Sequence, residues 1–410
     1  MTIGRSSITR RGALTAGIAA VGLAACSDET GIIGSGEAEE ETPVSAAKVT
    51  LTPGDGATDA TAATEFAWTV EDGTFTEFTL TDAAGNAVEG EMHPDGATWI
   101  PAAPLAWETA YTAAVSAEDA DGVPVTVEST FTTIASPADR VTLENYLPGE
   151  GSVVGQAAVL AFRFVDYEIP EDLRRAVERR LFVSSEPAQE GSWHWITGRA
   201  LEYRPKEYWQ PNTQVSVRLA LGGLPLGDGR YGEYDVETVF DVDAEARMLE
   251  ADDATKQLRA YQDGTIVQTI PIALGADEID GHDARSFEGH MIIMSREEES
   301  TFVSDLYDYE TDVKWAMRLT FSGQYVHGAP WAENALGKEN ISHGCINVTD
   351  EMGEWLYNFV RWGDPVVVLG TGRALPQGDG FTSWDLDWET LVAGSYLEPE
   401  TDAESSGEDG

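Results

Sequence analysis

The stretch Tyr325–Asn347, "YVHGAPWAENALGKENISHGCIN", gathers two of the six histidines and one of the two cysteines of a 410-residue chain. Cys345 is either a nucleophile or a buried small side chain. A cysteine attacks a carbonyl as its thiolate, so it needs a base, and the base needs a group that holds its ring. His343 stands two residues before Cys345 and His327 eighteen before it. In an extended strand residues two apart point to one face, which would make His343 and Cys345 neighbours without any loop. His327 would have to arrive from an adjacent strand, and spacing alone leaves both histidines open.

The surrounding chain reads as β-rich. "KQLRAYQDGTIVQTIPIALG" holds two strands around the Asp263-Gly264 turn, a hairpin signal, and "GHMIIMS", "WAMRLTFSG" and "PVVVLGTG" follow as further strands. One helix is expected in "TDEMGEWLYNFVRWG", with Thr349 as N-cap and Gly363 closing it. Met352, Trp355, Leu356 and Phe359 fall on one face of it, expected to be core. Upstream, short alternating segments separated by Gly, Asp and Pro turns recur twice, from Val49 and again from Asp139, as two antiparallel sandwiches. Trp99-Ile100-Pro101 before Trp107 and Tyr111 parallels Tyr203-Arg204-Pro205 before Trp209 and Val215, the trace of a divergent repeat. "PEDLRRAVERR" is a helical interruption of the second module.

His327, a fourteen-residue loop that begins with Gly328, and Ser342-His343-Gly344-Cys345-Ile346-Asn347 resemble the signature of the L,D-transpeptidase (YkuD) catalytic domain. "YDYETDVKWAMRLTFSGQYVHGAPW" is similar to the flap and strand before that signature in mycobacterial members of the family, and "GDGFTSWDLDWETLVAG" to their C-terminal region. The resemblance implies a mainly β chain: two Ig-like β-sandwich domains, a β-rich YkuD-type catalytic domain and a short C-terminal subdomain. It makes Cys345 the nucleophile, His327 the general base and later acid, and His343 a supporting residue. Members often carry Ser after the first histidine; Gly328 keeps the main-chain carbonyl that would orient the imidazole. Tyr309, with Tyr307 next, takes the place of the flap tyrosine beside the oxyanion, together with Gly344. Ser322, Gly323, Ser342 and Asn347 match substrate-contacting positions. Met294 and Trp331 are read as core more than as pocket lining.

The first residues, "MTIGRSSITRRGALTAGIAAVGLAACSDET", place Arg5, Arg10 and Arg11 before an apolar run too short to span a bilayer, an export signal of the Sec or twin-arginine type. Leu23-Ala24-Ala25-Cys26 resembles a lipobox, so Cys26 is expected to carry a lipid anchor and Cys345 to be the remaining thiol. A net charge of −47 with 25 Lys and Arg argues against nucleic acid or an anionic membrane surface as electrostatic partners. No His/Cys/Asp/Glu set has zinc-site spacing, and no cofactor or metal is expected. The chain divides into a signal segment (1–25), an acidic tether (26–48), Ig-like modules (49–136 and 137–244), a catalytic domain (245–370), a C-terminal subdomain (371–397) and an acidic tail (398–410).

The expected activity is 3→3 cross-linking of peptidoglycan stem peptides through a Cys345 thioester, with a donor tetrapeptide, an acceptor diamino-acid amine and carbapenem inhibitors as partners, outside the cytoplasm at the membrane facing the wall. Two alternatives remain on the residues: an L,D-carboxypeptidase or cysteine peptidase releasing the same thioester to water, and a wall-binding lipoprotein with an inert Cys345.

Overall fold

The short alternating segments expected from Val49 onward include "TAYTAAVSA", which overlaps the strand Ala110–Asp119 with Tyr111, Ala113, Val115 and Ala117 buried. The computed structural model describes residues 43–397 apart from residues 94, 95, 97 and 305 and the side chain of Tyr309. The signal segment, Cys26, most of the tether and the 398–410 tail lie outside the described residues.

The first module is a sandwich of two antiparallel sheets. One holds, in spatial order, Lys48–Thr52, Phe66–Glu71, Thr98–Pro101 and Gly90–Met92; the other holds Gly73–Asp82, Ala110–Asp119 and Pro124–Thr132. Phe66, Trp68, Trp99 and Phe131 fill the space between them. In the second module Leu143–Asn145, Leu160–Phe164, Ala200–Pro205 and Gly191–Thr197 repeat the order of the four-stranded sheet. The facing sheet carries Leu181–Glu186, Gln214–Leu219 and Val236–Val242, and Val153–Val154 adds a short edge. The two modules therefore share a topology. The paired triplets sit on corresponding strands, and Tyr111 and Val215 are both buried on the strand that follows. The expected helical interruption is Glu171–Glu178.

The third domain packs a five-stranded sheet against a four-stranded one. The first is ordered Thr265–Pro271, Gln257–Gln262, Arg247–Asp252, Pro365–Leu369 and Gly289–Ile292; the second is Ser295–Ser304, Tyr309–Arg318, Tyr325–Gly328 and Ile346–Val348. Leu249, Leu258, Ile270, Met317, Val326, Ile346 and Val366 form the core between them. Thr349 caps the helix Asp350–Phe359 by accepting from the Met352 N–H at 3.2 Å. The helix ends before Gly363 rather than at it, because Val360 is already extended. Gly363 instead takes a left-handed φ of +84° in a turn, where a Cβ would lie 3.0 Å from Ala158 of the second module. On the expected core stripe only Leu356 is fully buried, while Trp355 and Phe359 stack on each other, half-buried, at 4.8 Å.

Residues 371–397 strap the third domain to the second module. Leu375 enters the third domain's core, and the Trp384 Nε1–H donates to the Ala157 carbonyl at 2.8 Å. Buried Glu202 accepts from the Ser383 N–H at 2.8 Å, and Arg204 donates to the carbonyls of Ser383 and Leu386, each at 2.9 Å. Buried Glu178 accepts from Trp195 Nε1 at 3.1 Å and from the Tyr396 N–H at 2.8 Å. Two of the remaining histidines serve these junctions, His194 meeting the Leu391 carbonyl and His290 the Tyr208 hydroxyl, while His93 of the first module meets the Arg179 carbonyl of the second.

Candidate active site

Tyr325–Gly328 and Ile346–Val348 lie side by side and parallel, with Val326 opposite Ile346 and His327 opposite Asn347. Val326 and Ile346 point into the core. Tyr325 and His327 on one strand and Asn347 on the other alternate with them and so share the opposite face, and Cys345, just before the second strand, lines one cleft with His327 and Asn347. A histidine eighteen residues away in sequence thus reaches the face of the thiol. His343 does not get there by strand alternation: residues 343–345 form a bend, Gly344 has φ +129°, and His343 is exposed whereas Cys345 is buried. The two-residue periodicity fails because the chain is not extended at Gly344.

That bend is held from several sides. The Gly344 N–H donates to Ser342 Oγ at 3.1 Å, and its carbonyl accepts from Ser286 Oγ at 2.7 Å. Ser342 Oγ in turn donates to the Cys345 carbonyl at 2.6 Å. A Cβ on residue 344 would stand 2.9 Å from Gln324 Nε2, and the left-handed φ independently favours glycine. Ser342 therefore uses its hydroxyl within the turn, and the Gly344 N–H is engaged there too.

Burial pushes the Cys345 thiol up to about 12, against an opposing contact from the Tyr325 N–H. The sulfur faces the Gly323 carbonyl at 3.8 Å. His327 is also buried, and loss of water is the largest influence on it, holding its pKa below the ordinary value. The Gly328 carbonyl and the Asp350 carboxylate pull the other way. Nδ1–H of His327 donates to the Gly328 carbonyl at 2.9 Å, which leaves Nε2 as the acceptor. Phe302 stands edge-on to this ring at 5.2 Å, and Trp331 lies 6.0 Å away. An imidazole held neutral in the same cleft as a protonated thiol can take a proton when a carbonyl arrives.

Two clefts meet here. One, of about 430 Å³, is lined by His327, Trp331, Ser342, Cys345 and Asn347 among others. The other, of about 550 Å³, is lined by Ser322, Gly323, Gln324 and Tyr325. Phe302, Tyr307 and His343 line both. The hairpin of Ser295–Ser304 and Tyr309–Arg318 overhangs them, with the Tyr307 ring 4.5 Å from that of His343 and 6.0 Å from that of His282. The side chain of Tyr309 lies outside the described residues.

Asn347 Oδ1 is buried and has no hydrogen-bond partner among the described residues. Ser322 is tied by its N–H and hydroxyl to the Asp379 carboxylate at 2.7 and 2.6 Å. One sequence expectation is corrected: Trp331 is 55% exposed over the site rather than core. Met294 does pack against core, beside Ile292 and Phe381, and borders a different cleft with Tyr146 and Trp362. Ser286, Gln324 and Asp379 were not legible as site residues, since each acts across a long loop and none stands in a motif. Among the described residues no three His, Cys, Asp or Glu side chains cluster as metal ligands.

A buried thiol, an imidazole oriented by a main-chain carbonyl and a cleft that both of them line define a cysteine-dependent acyl-transfer site on a β-rich domain. Residues 246–368 match the L,D-transpeptidase catalytic domain, and residues 57–225 match the bacterial Ig domain. The chain is 34% identical over 352 residues to L,D-transpeptidase 2 of Mycobacterium tuberculosis (strain CDC 1551 / Oshkosh), covering 85% of each. It is 32% identical over 369 residues to L,D-transpeptidase 5 of Mycobacterium tuberculosis (strain ATCC 25618 / H37Rv), covering 88% of this chain and 79% of that one. The chain belongs to the L,D-transpeptidase family. Among solved structures, L,D-transpeptidase 3 from Mycobacterium tuberculosis in complex with a faropenem-derived adduct is 28% identical, covering 56% of this chain and 98% of that one with a TM-score of 0.44. LdtMt1 in complex with imipenem is 27% identical, covering 57% and 100% with a TM-score of 0.46.

Proposed function

We propose that this chain forms 3→3 cross-links between peptidoglycan stem peptides by way of a thioester on Cys345. The observation that supports this is the parallel pairing of Tyr325–Gly328 with Ile346–Val348, at which buried His327 and buried Cys345 line one cleft. In the first half-reaction His327 Nε2 takes the thiol proton as sulfur attacks the carbonyl before the terminal D-Ala of a donor tetrapeptide. The C–N bond breaks, the proton passes to the departing amine, and D-Ala leaves. In the second, the side-chain amine of an acceptor stem attacks the thioester, gives a proton to His327, and the sulfur leaves and recovers it. The product is one new amide and a free thiol.

Two clefts suit two substrates. We assign the donor to the one lined by Ser322, Gly323 and Tyr325, and the acceptor to the one lined by Trp331 and Asn347. The unpartnered Asn347 Oδ1 would accept an N–H from a bound peptide. Tyr309 and backbone N–H groups near Cys345 would stabilise the oxyanion, and His343 would support the flap through Tyr307. Carbapenems would acylate the same sulfur, since relatives have been solved with imipenem and with a faropenem-derived adduct. We further propose export and anchoring at the membrane through a lipid on Cys26, so that the two Ig-like modules hold the site towards the wall.

Product masses from the purified protein with donor tetrapeptide and acceptor stems test the reading. Dimers one D-Ala short of the two reactants are expected; water adducts alone would make the chain a hydrolase, and neither product would defeat both enzyme readings.

A further inference from the structure

The residue after His327 is Gly328, and the space a side chain would take there is already filled. A Cβ on residue 328 would lie 2.5 Å from Asp350 Oδ1 and 3.3 Å from both Asp350 Cα and the Lys314 carbonyl. Gly328 has no left-handed backbone conformation to explain it; the constraint is room. Asp350 is the first residue of the helix Asp350–Phe359, just after the Thr349 cap, where the aligned N–H groups favour a negative charge. Its Oδ1 is shut off from solvent and has no hydrogen-bond partner among the described residues. A buried carboxylate oxygen left without a partner carries a cost unless another cation or dipole benefits from it.

The group that benefits lies across one peptide. The Gly328 carbonyl accepts the His327 Nδ1–H, and the Asp350 carboxylate packs against the Cα of that same glycine. We propose, building on the assignment of His327 as base, that Asp350 is a positioning residue: its carboxylate fixes the Gly328 peptide that orients the imidazole and stabilises the imidazolium formed when the Cys345 proton arrives. Gly328 and Asp350 then act as a pair, glycine making the room that the carboxylate occupies.

Other groups facing the ring do not supply that charge. Phe302 and Trp331 are uncharged and Asn347 is neutral. Tyr325 shares the strand, Cys345 is the proton donor, and Lys314 pairs with Gly328 through its backbone while its side chain is exposed. Among the charged groups, Asp350 is the one whose field favours a protonated His327.

The test is the pH profile of Cys345 acylation by imipenem in the full chain, followed by intact mass, for wild type, Asp350→Asn, Gly328→Ser and the Gly328→Ser/Asp350→Ala double variant. Asp350→Asn keeps the shape and removes the charge. It is expected to slow acylation about three- to tenfold near neutral pH and to move the acidic limb to lower pH. Gly328→Ser alone should lose most activity, and the double variant should regain part of it, because the serine then has room. An Asp350→Asn enzyme with wild-type rate and limb, or a double variant no better than Gly328→Ser, overturns the proposal. His327→Ala distinguishes the failures: if it retains acylation, the base assignment falls; if it is inactive while Asp350→Asn is unchanged, only the role of Asp350 falls.

Discussion

Glu202 offers the sharpest handle on how the second module holds the C-terminal strap. Its carboxyl is fully buried, accepts the Ser383 N–H, and is pushed by burial from its ordinary 4.5 to about 7. The folded chain therefore keeps a proton that the unfolded chain releases, so stability is largest below pH 4.5 on this account and falls as pH rises through about 7. Over the whole titration this linkage is worth about 3 kcal/mol, of which about 2.5 kcal/mol is lost between about pH 5 and about pH 8. Glu202→Gln removes the titration and keeps an oxygen for the Ser383 N–H. Urea denaturation followed by tryptophan fluorescence is a suitable assay, since Trp384 and Trp388 lie over Arg204 at 4.4 and 5.6 Å. The wild-type unfolding free energy should fall relative to the variant by that amount across the range. Parallel pH profiles for the two proteins would refute the reasoning.

Three further outcomes follow from the site. The acidic limb of Cys345 acylation should lie below the ordinary histidine value, because burial holds His327 neutral; a limb above it, measured as acylation rate against pH, would contradict that. Ser286→Ala removes a buried hydroxyl that links the Gly275 N–H at 3.0 Å to the Gly344 carbonyl, and should cost about 1–3 kcal/mol in denaturation while slowing acylation. Trp331→Ala should leave the unfolding free energy within about 0.5 kcal/mol, since the ring is 55% exposed, yet raise the KM for the acceptor stem in dimer formation.

Patterns confined to a few consecutive residues were legible. The Ala110–Asp119 alternation, the Asp263-Gly264 hairpin and the Thr349 cap each depend on local geometry, and each appears in the structure. The signature from His327 to Asn347 was readable for a related reason: one loop joins two strands that pair directly. What escaped depends on distant partners. Nothing around Ser286 announces that it holds Gly344, and Ser322 meets Asp379 from 57 residues away. Helix closure at Gly363 was misread because a glycine serves any left-handed turn, here one packed on Ala158. His343 was misplaced on the thiol's face for a similar reason, since Gly344 breaks the strand that the two-residue rule assumes.

The proposed chemistry requires that Cys345 be acylated with His327, not His343, moving its proton. Intact-protein mass over time with imipenem, for wild type and for Cys345→Ala, His327→Ala and His343→Ala, measures it directly. One adduct is expected on wild type, none on Cys345→Ala, a loss of about a hundredfold or more in rate for His327→Ala, and a smaller loss for His343→Ala. An adduct on Cys345→Ala, or a slower reaction in His343→Ala than in His327→Ala, would contradict it.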